Sequence, residues 1–139
     1  MKSIQIKREL KKKKKILSLL QQISALDETI IEYSTKSKDP LFKKIEISLK
    51  KALSCETKLR NDIIKMRGLS GRKFRVMLNH LIDKIQNPKY LEIGSWLGST
   101  ACSACFNNKL KITCIDDWSQ NFNKNLIPKN EFKKNIKKV

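Results

Sequence analysis

Apolar residues enter this chain in changing rhythms. Ile16, Leu19, Ile23, Leu26, Ile30 and Tyr33 advance by alternating three- and four-residue steps, the spacing of a helix that buries a narrow seam. The run is short enough to pack on its own chain or on a partner helix. "STKSKDP" breaks it. Asp39 followed by Pro40 is a helix start, a capping carboxylate ahead of a proline at the first helical position. Leu41 or Phe42, Ile45, Leu49 and Leu53 then continue at helical spacing, predicting a helix toward residue 66. Residues 66 to 71 form a turn in which Gly68 stops that helix in the left-handed conformation and Ser70 caps the next. Phe74, Met77, Leu78, Leu81, Ile82 and Ile85 fall on one helical stripe that must dock on something. Asn87-Pro88 ends it, because the residue before proline avoids helical angles.

The rhythm changes again at residue 90. "YLEIGSWLGST" is a short apolar run with one carboxylate, Glu92, followed by Gly94, Trp96, Gly98 and the small residues Ser99 and Thr100. This predicts a strand, a glycine turn and a helix of small residues. Gly94 lets the backbone approach a ligand with no Cβ in the way, and Gly98 lets the helix start close to the strand. The free N–H groups of that helix start, with the Ser99 and Thr100 hydroxyls, favour a carboxylate or a phosphate. Asn107-Asn108 stops the helix. "KLKITCID" returns as a second strand, parallel to the first, ending in Asp116 at the interval after a glycine turn where an acidic side chain accepts ribose hydroxyls. Together these residues describe a site for a nucleoside-containing cofactor.

Charge alters this picture less than its size suggests. The formal net charge is +18, yet 26 of the basic residues are Lys and only 5 are Arg, the side chain suited to bidentate phosphate and base contacts. A solvated basic surface accounts for most of it, and no specific nucleic-acid site is expected. Lys11 to Lys15 form a charge block of the kind that marks a solvated face. No stretch has the length of apolar sequence a membrane span needs, and Gln21-Gln22 interrupt the apolar part of a start that otherwise mimics a secretion signal. The four cysteines lie in periodic segments rather than a disulfide framework, which fits a cytoplasmic setting. Cys102 and Cys105 have CxxC spacing, but no second ligand pair or nearby histidine completes a metal site, so they read as helix-packing residues. His80 lies just off its helix's stripe and reads as a surface or boundary residue. Asp117 and Trp118 could contact a nucleoside or belong to a strand-end turn.

The pattern E-x-G-x-x-x-G-S-T after a hydrophobic strand, followed by "ITCIDDWS", resembles motifs I and II of class I S-adenosylmethionine-dependent methyltransferases. "GLSGRKFRVMLNHLI", "YLEIGSWLGST" and "CIDDWSQNF", in this order, are similar to a bacterial branch that acts on small molecules. The resemblance covers about residues 66 to 135. It implies an α/β Rossmann-like fold, a doubly wound parallel sheet, with S-adenosylmethionine as cofactor. It also implies that Gly94 and Gly98 line the methionine moiety, with Thr100 near its carboxylate. Trp96 would sit over the cofactor, Glu92 would brace the loop, and Asp116 would hold the ribose.

Two regions are therefore expected: a basic helical segment, 1–65, and an incomplete Rossmann-like cofactor-binding portion, 66–139. The family's sheet has seven strands and this chain supplies two. It is expected to be the N-terminal part of an enzyme, inactive alone, binding its cofactor weakly or not at all and open to self-association or a complementing fragment. The methyl acceptor would be a small molecule. Two other readings stand beside it: a non-catalytic basic helical protein that binds an acidic partner or RNA, and another nucleotide-binding Rossmann-like domain.

Overall fold

The computed structural model of the chain describes residues 9–16, 19, 37–120 and 125–139. The chain forms two compact units, Met1–Lys36 and Ser37–Val139. In the first, residues 9–16 are helical and exposed, Lys11 to Lys15 included. Ile23, Leu26, Ile30 and Tyr33 of the expected seam lie outside the described residues.

The second unit is mixed α/β. Helix α1, Pro40–Leu53, starts as its sequence requires, with the Leu41 N–H donating to Asp39 Oδ1 at 2.7 Å and proline in the first turn. It does not continue to residue 66. Cys55 takes a left-handed φ of 59°, the Glu56 N–H returns to the Lys51 carbonyl at 2.9 Å and the Cys55 N–H to Ala52 at 3.3 Å. That is a Schellman closure with cysteine at the position usually held by glycine. A single turn, α2, Asn61–Ile64, follows and buries Ile63.

Helix α3, Arg72–Asp83, packs against α1 and corrects three local expectations. Phe74, placed on the core stripe by periodicity, is 48% exposed, while Val76, Leu78, Asn79 and Ile82 are buried. His80 is only 7% exposed, because the segment after α1 folds over it and the Glu56 carbonyl pairs with its Nε2 at 2.9 Å. Gly71, not Ser70, precedes the helix as N-cap. The Ser70 hydroxyl instead accepts from Arg75 Nε at 2.9 Å and pairs with Thr100 Oγ1 at 2.8 Å. Gly68 is likewise not a left-handed helix stop. A Cβ there would lie 1.8 Å from Ser99 Oγ, so its missing side chain permits close packing.

Arg75 is buried with no carboxylate partner among the described residues. Its guanidinium donates to the carbonyls of Ile64 and Met66 as well as to Ser70, pinning the 64–70 turn to the helix. Burial lowers its pKa, with Arg72 adding to the effect.

Strands β1, Lys89–Ile93, and β2, Lys111–Ile115, pair in parallel, with Lys89 opposite Lys111 and Ile93 opposite Ile115. The crossover carries helix α4, Ser99–Cys105, and helix α5, Pro128–Ile136, packs on α4. One core cluster joins Ala52, Leu59, Ile63, Met66, Val76 and Cys102. A second joins Leu78, Ile82 and Ala104, with Tyr90 and Leu110 against it. Asn79 ties the two halves, its amide donating to the carbonyls of Ser103 at 2.7 Å and Phe106 at 2.8 Å. The opposite face of the sheet, Leu91, Ile93 and Ile115, is exposed. No helix among the described residues is long and apolar enough to cross a membrane.

Candidate functional site

Both strands stop at the same level, and the chain leaves each through a left-handed turn. Gly94 follows β1 with φ 80° and donates its N–H to the Ile115 carbonyl at 2.9 Å. Trp96 has φ 42° and Gly98 φ 79° before α4 begins. After β2, Trp118 has φ 53°. A positive φ costs a tryptophan about 1–2 kcal/mol, so something must hold these two residues.

Asp116 holds both. Its Oδ2 accepts from the Trp96 N–H at 2.7 Å and its Oδ1 from the Trp118 N–H at 2.6 Å. The Trp118 indole N–H then donates to the Trp96 carbonyl at 3.1 Å, and the Trp96 indole N–H to the Gln120 carbonyl at 3.2 Å. Phe132 of α5 meets the Trp118 ring edge-on, and Arg67 lies over the Trp96 ring, 5.8 Å from its centroid. One carboxylate thus fixes the loops at both strand ends.

Between these loops lies a cavity of about 340 Å³, lined by Gly94, Trp96, Asp116, Asp117 and Gln120 over a floor that includes Ile93 and Ile115. Its position outside the carboxyl ends of parallel strands is where open α/β sheets bind ligands. A Cβ built on Gly94 would meet nothing within 4 Å, so the bare Cα faces open space. Asp117 accepts the N–H and the hydroxyl of Ser119 on one oxygen, both at 2.9 Å. These bonds, the backbone one first, hold its pKa below the ordinary carboxylate value.

The other sequence candidates sit beneath the cavity or behind it. Glu92 is buried on the inner face of β1, where it accepts the Tyr90 hydroxyl at 2.9 Å and the Ala101 N–H, joining the strand to the first turn of α4. Burial pushes its pKa up, against the lowering by those donors. Ser95 stands beside Glu92 and Cys114, its hydroxyl buried without an aligned partner. Gly98 is covered by Phe132, Ser99 faces Gly68, and Thr100 bonds Ser70. None of these three lines the cavity. At the start of this helix the Ala101 N–H is taken by the protein's own Glu92 carboxylate, and the Ser99 and Thr100 hydroxyls face the 68–70 turn.

Burial raises the thiols of Cys102 to about 12 and of Cys105 to about 11, which suits packing residues rather than metal-binding thiolates. No group of His, Cys, Asp and Glu among the described residues could hold a metal ion. Sequence reasoning missed Leu69, Ile93, Ile115, Ser119 and Gln120 as lining residues. Asp117-Trp-Ser119 carries a signal, an acid two residues before a serine at a strand end, the spacing of an Asx turn; Leu69 carries none. Comparison with protein-family models, curated protein sequences and solved structures returns no match.

Proposed function

We propose that this chain holds S-adenosylmethionine at the ends of its two strands, as the cofactor-binding portion of a Rossmann-like methyltransferase acting on a small molecule. The observation that carries this reading is the cavity itself. It sits at the carboxyl ends of a parallel pair, with a bare glycine at one wall and carboxylates at the other. Its size falls within the range of small-molecule sites. The lining suits the group: Leu69, Ile93, Ile115 and the Trp96 ring offer apolar surface to a base or thioether chain, and the carboxylates offer acceptors for hydroxyls.

Bound there, the cofactor supplies an electrophilic methyl group, and the protein supplies position. Gly94 admits the ligand close to the backbone. Trp96, locked by Asp116, shapes the wall. Glu92 lies behind the loop and keeps the strand and α4 in register.

The direct test is an NMR titration with S-adenosylhomocysteine on the wild type and Gly94→Leu. The reading expects saturable shifts at residues 94–96 and 116–119 in the wild type. The leucine projects into open space, so the variant should stay folded and lose those shifts. A wild type without shifts at millimolar ligand, or a variant that titrates equally, refutes the reading.

A further inference from the structure

The outer face of the sheet is open, and its two ends differ in charge. Leu91, Ile93 and Ile115, with Thr113 paired to Leu91, form an exposed floor. At the strand starts Lys89 and Lys111 stand side by side, and Lys109 joins them around a groove of about 320 Å³. A second groove, of about 290 Å³, is lined by this lysine pair with Leu91 and Thr113. None of the three lysines meets a carboxylate among the described residues. At the far end of the strands the charge reverses, where Asp117 is exposed.

We infer that this face docks an amphipathic helix of a separate, acidic protein, lying antiparallel to the strands with its C-terminal end over the lysines. Size selects a helix. Two strands of five residues, spaced by about 4.8 Å, make a floor about 10 Å wide and about 15 Å long, which one helix of about three turns covers. A sheet's apolar face is stabilised by burial against such a layer. Charge selects the chemistry and the direction. The negative end of the helix dipole falls on the lysines and the positive end on Asp117. Acidic side chains in its last turns pair with ammonium groups that have no other carboxylate. A second copy of this chain brings a net charge of +18 and the same lysines, so it is the wrong partner. Such docking needs no ligand in the cavity, although Ile93 and Ile115 border both surfaces.

The probe is a synthetic helical peptide of about 15 residues, with Leu and Ile on one face and Glu on the flanks of its last turns, beside a counterpart with Lys at each Glu. Both are titrated into the isotope-labelled full chain at about 0.1 M salt and followed by NMR. The acidic peptide should give saturable shifts at Lys89, Leu91, Ile93, Lys111, Thr113 and Ile115, and the lysine peptide none. Lys89→Glu/Lys111→Glu should bind the acidic peptide about tenfold more weakly, as two lost ion pairs imply, and should accept the lysine peptide instead. Leu91→Ser/Ile93→Ser should lose the acidic peptide. All four side chains are exposed, so both variants should melt as the wild type does. A wild type that leaves these residues unshifted overturns the proposal, as does acidic-peptide binding that Leu91→Ser/Ile93→Ser leaves intact, which is charge attraction alone. Equal binding of the two peptides overturns the charge selection. Shifts at the same residues that grow with the chain's own concentration, without peptide, assign the face to a second copy and overturn it too.

Discussion

Replacing Asp116 with alanine removes one side chain and the two hydrogen bonds it accepts. The N–H groups of Trp96 and Trp118 lose their acceptors, and two left-handed tryptophans lose the contacts that hold them there. A hydrogen bond to a charged group contributes about 1.5–3 kcal/mol when dry. Asp116 is only half-buried, so water replaces part of each bond, and about 1 kcal/mol apiece is a better figure. Against this, the loops can relax toward negative φ, which recovers some of the roughly 1–2 kcal/mol of strain per tryptophan. The net expectation is a loss of about 2 kcal/mol in unfolding free energy, or roughly 8–16 °C in melting temperature for a unit near 100 residues. Urea unfolding followed by tryptophan fluorescence is the assay, because the chain's two tryptophans are the two residues concerned. The native emission should also shift to the red, since Trp118 leaves Phe132 and the Trp96 carbonyl. Asp116→Asn, with one oxygen left, should lose about half as much. An Asp116→Ala protein with the wild-type urea midpoint and an unshifted spectrum refutes the reasoning that this carboxylate holds the loops.

Three further outcomes follow from the same geometry. Alanine at Gly94, where a Cβ meets nothing, should cost only the left-handed penalty of about 1–2 kcal/mol; at Gly98 a Cβ lies 2.9 Å from the Phe132 ring, and at Gly68 it lies 1.8 Å from Ser99 Oγ, so both should exceed it, Gly68 through overpacking at or above the upper end of about 1–3 kcal/mol. Urea midpoints give the order, and Gly68→Ala as stable as Gly94→Ala would contradict it. Glu92, its pKa raised by burial, contributes stability that is fully present below its ordinary value of 4.5 and is lost as pH rises through the higher folded value. The stability of Glu92→Gln relative to wild type should therefore increase from pH 4.5 upward and then level off, whereas a difference that is flat or falls with pH would show that the carboxylate is not desolvated. The exposed Lys11–Lys15 block should attract RNA weakly and without sequence preference, fading as salt rises in a filter or anisotropy assay; nanomolar selective binding at physiological salt would favour the non-catalytic interaction reading.

Where a local rule decides the conformation, the sequence made it legible. Asp39-Pro40 set a helix start, and the strand, glycine turn, small-residue helix and parallel strand between residues 89 and 115 follow from spacing and turn chemistry. The misses came where packing overrides the local signal. Nothing in "LSCET" announces that Cys55 will turn left-handed, so the helix looked longer than it is. The α3 stripe is rotated because Arg75, Asn79 and His80 bond backbone carbonyls of other segments and so can be buried. At the site, Gly94, Trp96 and Asp116 were visible as a motif and do meet at the cavity. Ser99 and Thr100 were visible too, but their hydroxyls face a turn whose approach only tertiary structure reveals.

The register that sets Lys89 opposite Lys111 also bears on how molecules of this protein behave toward one another. Both ammonium groups stand on the exposed face, at the entry to a short sheet whose outer surface carries Leu91, Ile93, at 78% exposure, and Ile115. Such a surface would ordinarily invite another sheet or another strand to stack. Here, each copy that stacks in register would extend a row of like charges at ordinary strand spacing, and the repulsion grows with every addition. At low ionic strength the lysines therefore act as a colloidal guard over an apolar surface. Salt near 1 M shortens the screening length to about 3 Å and silences that guard, so concentrated salt should make this chain cluster rather than keep it apart.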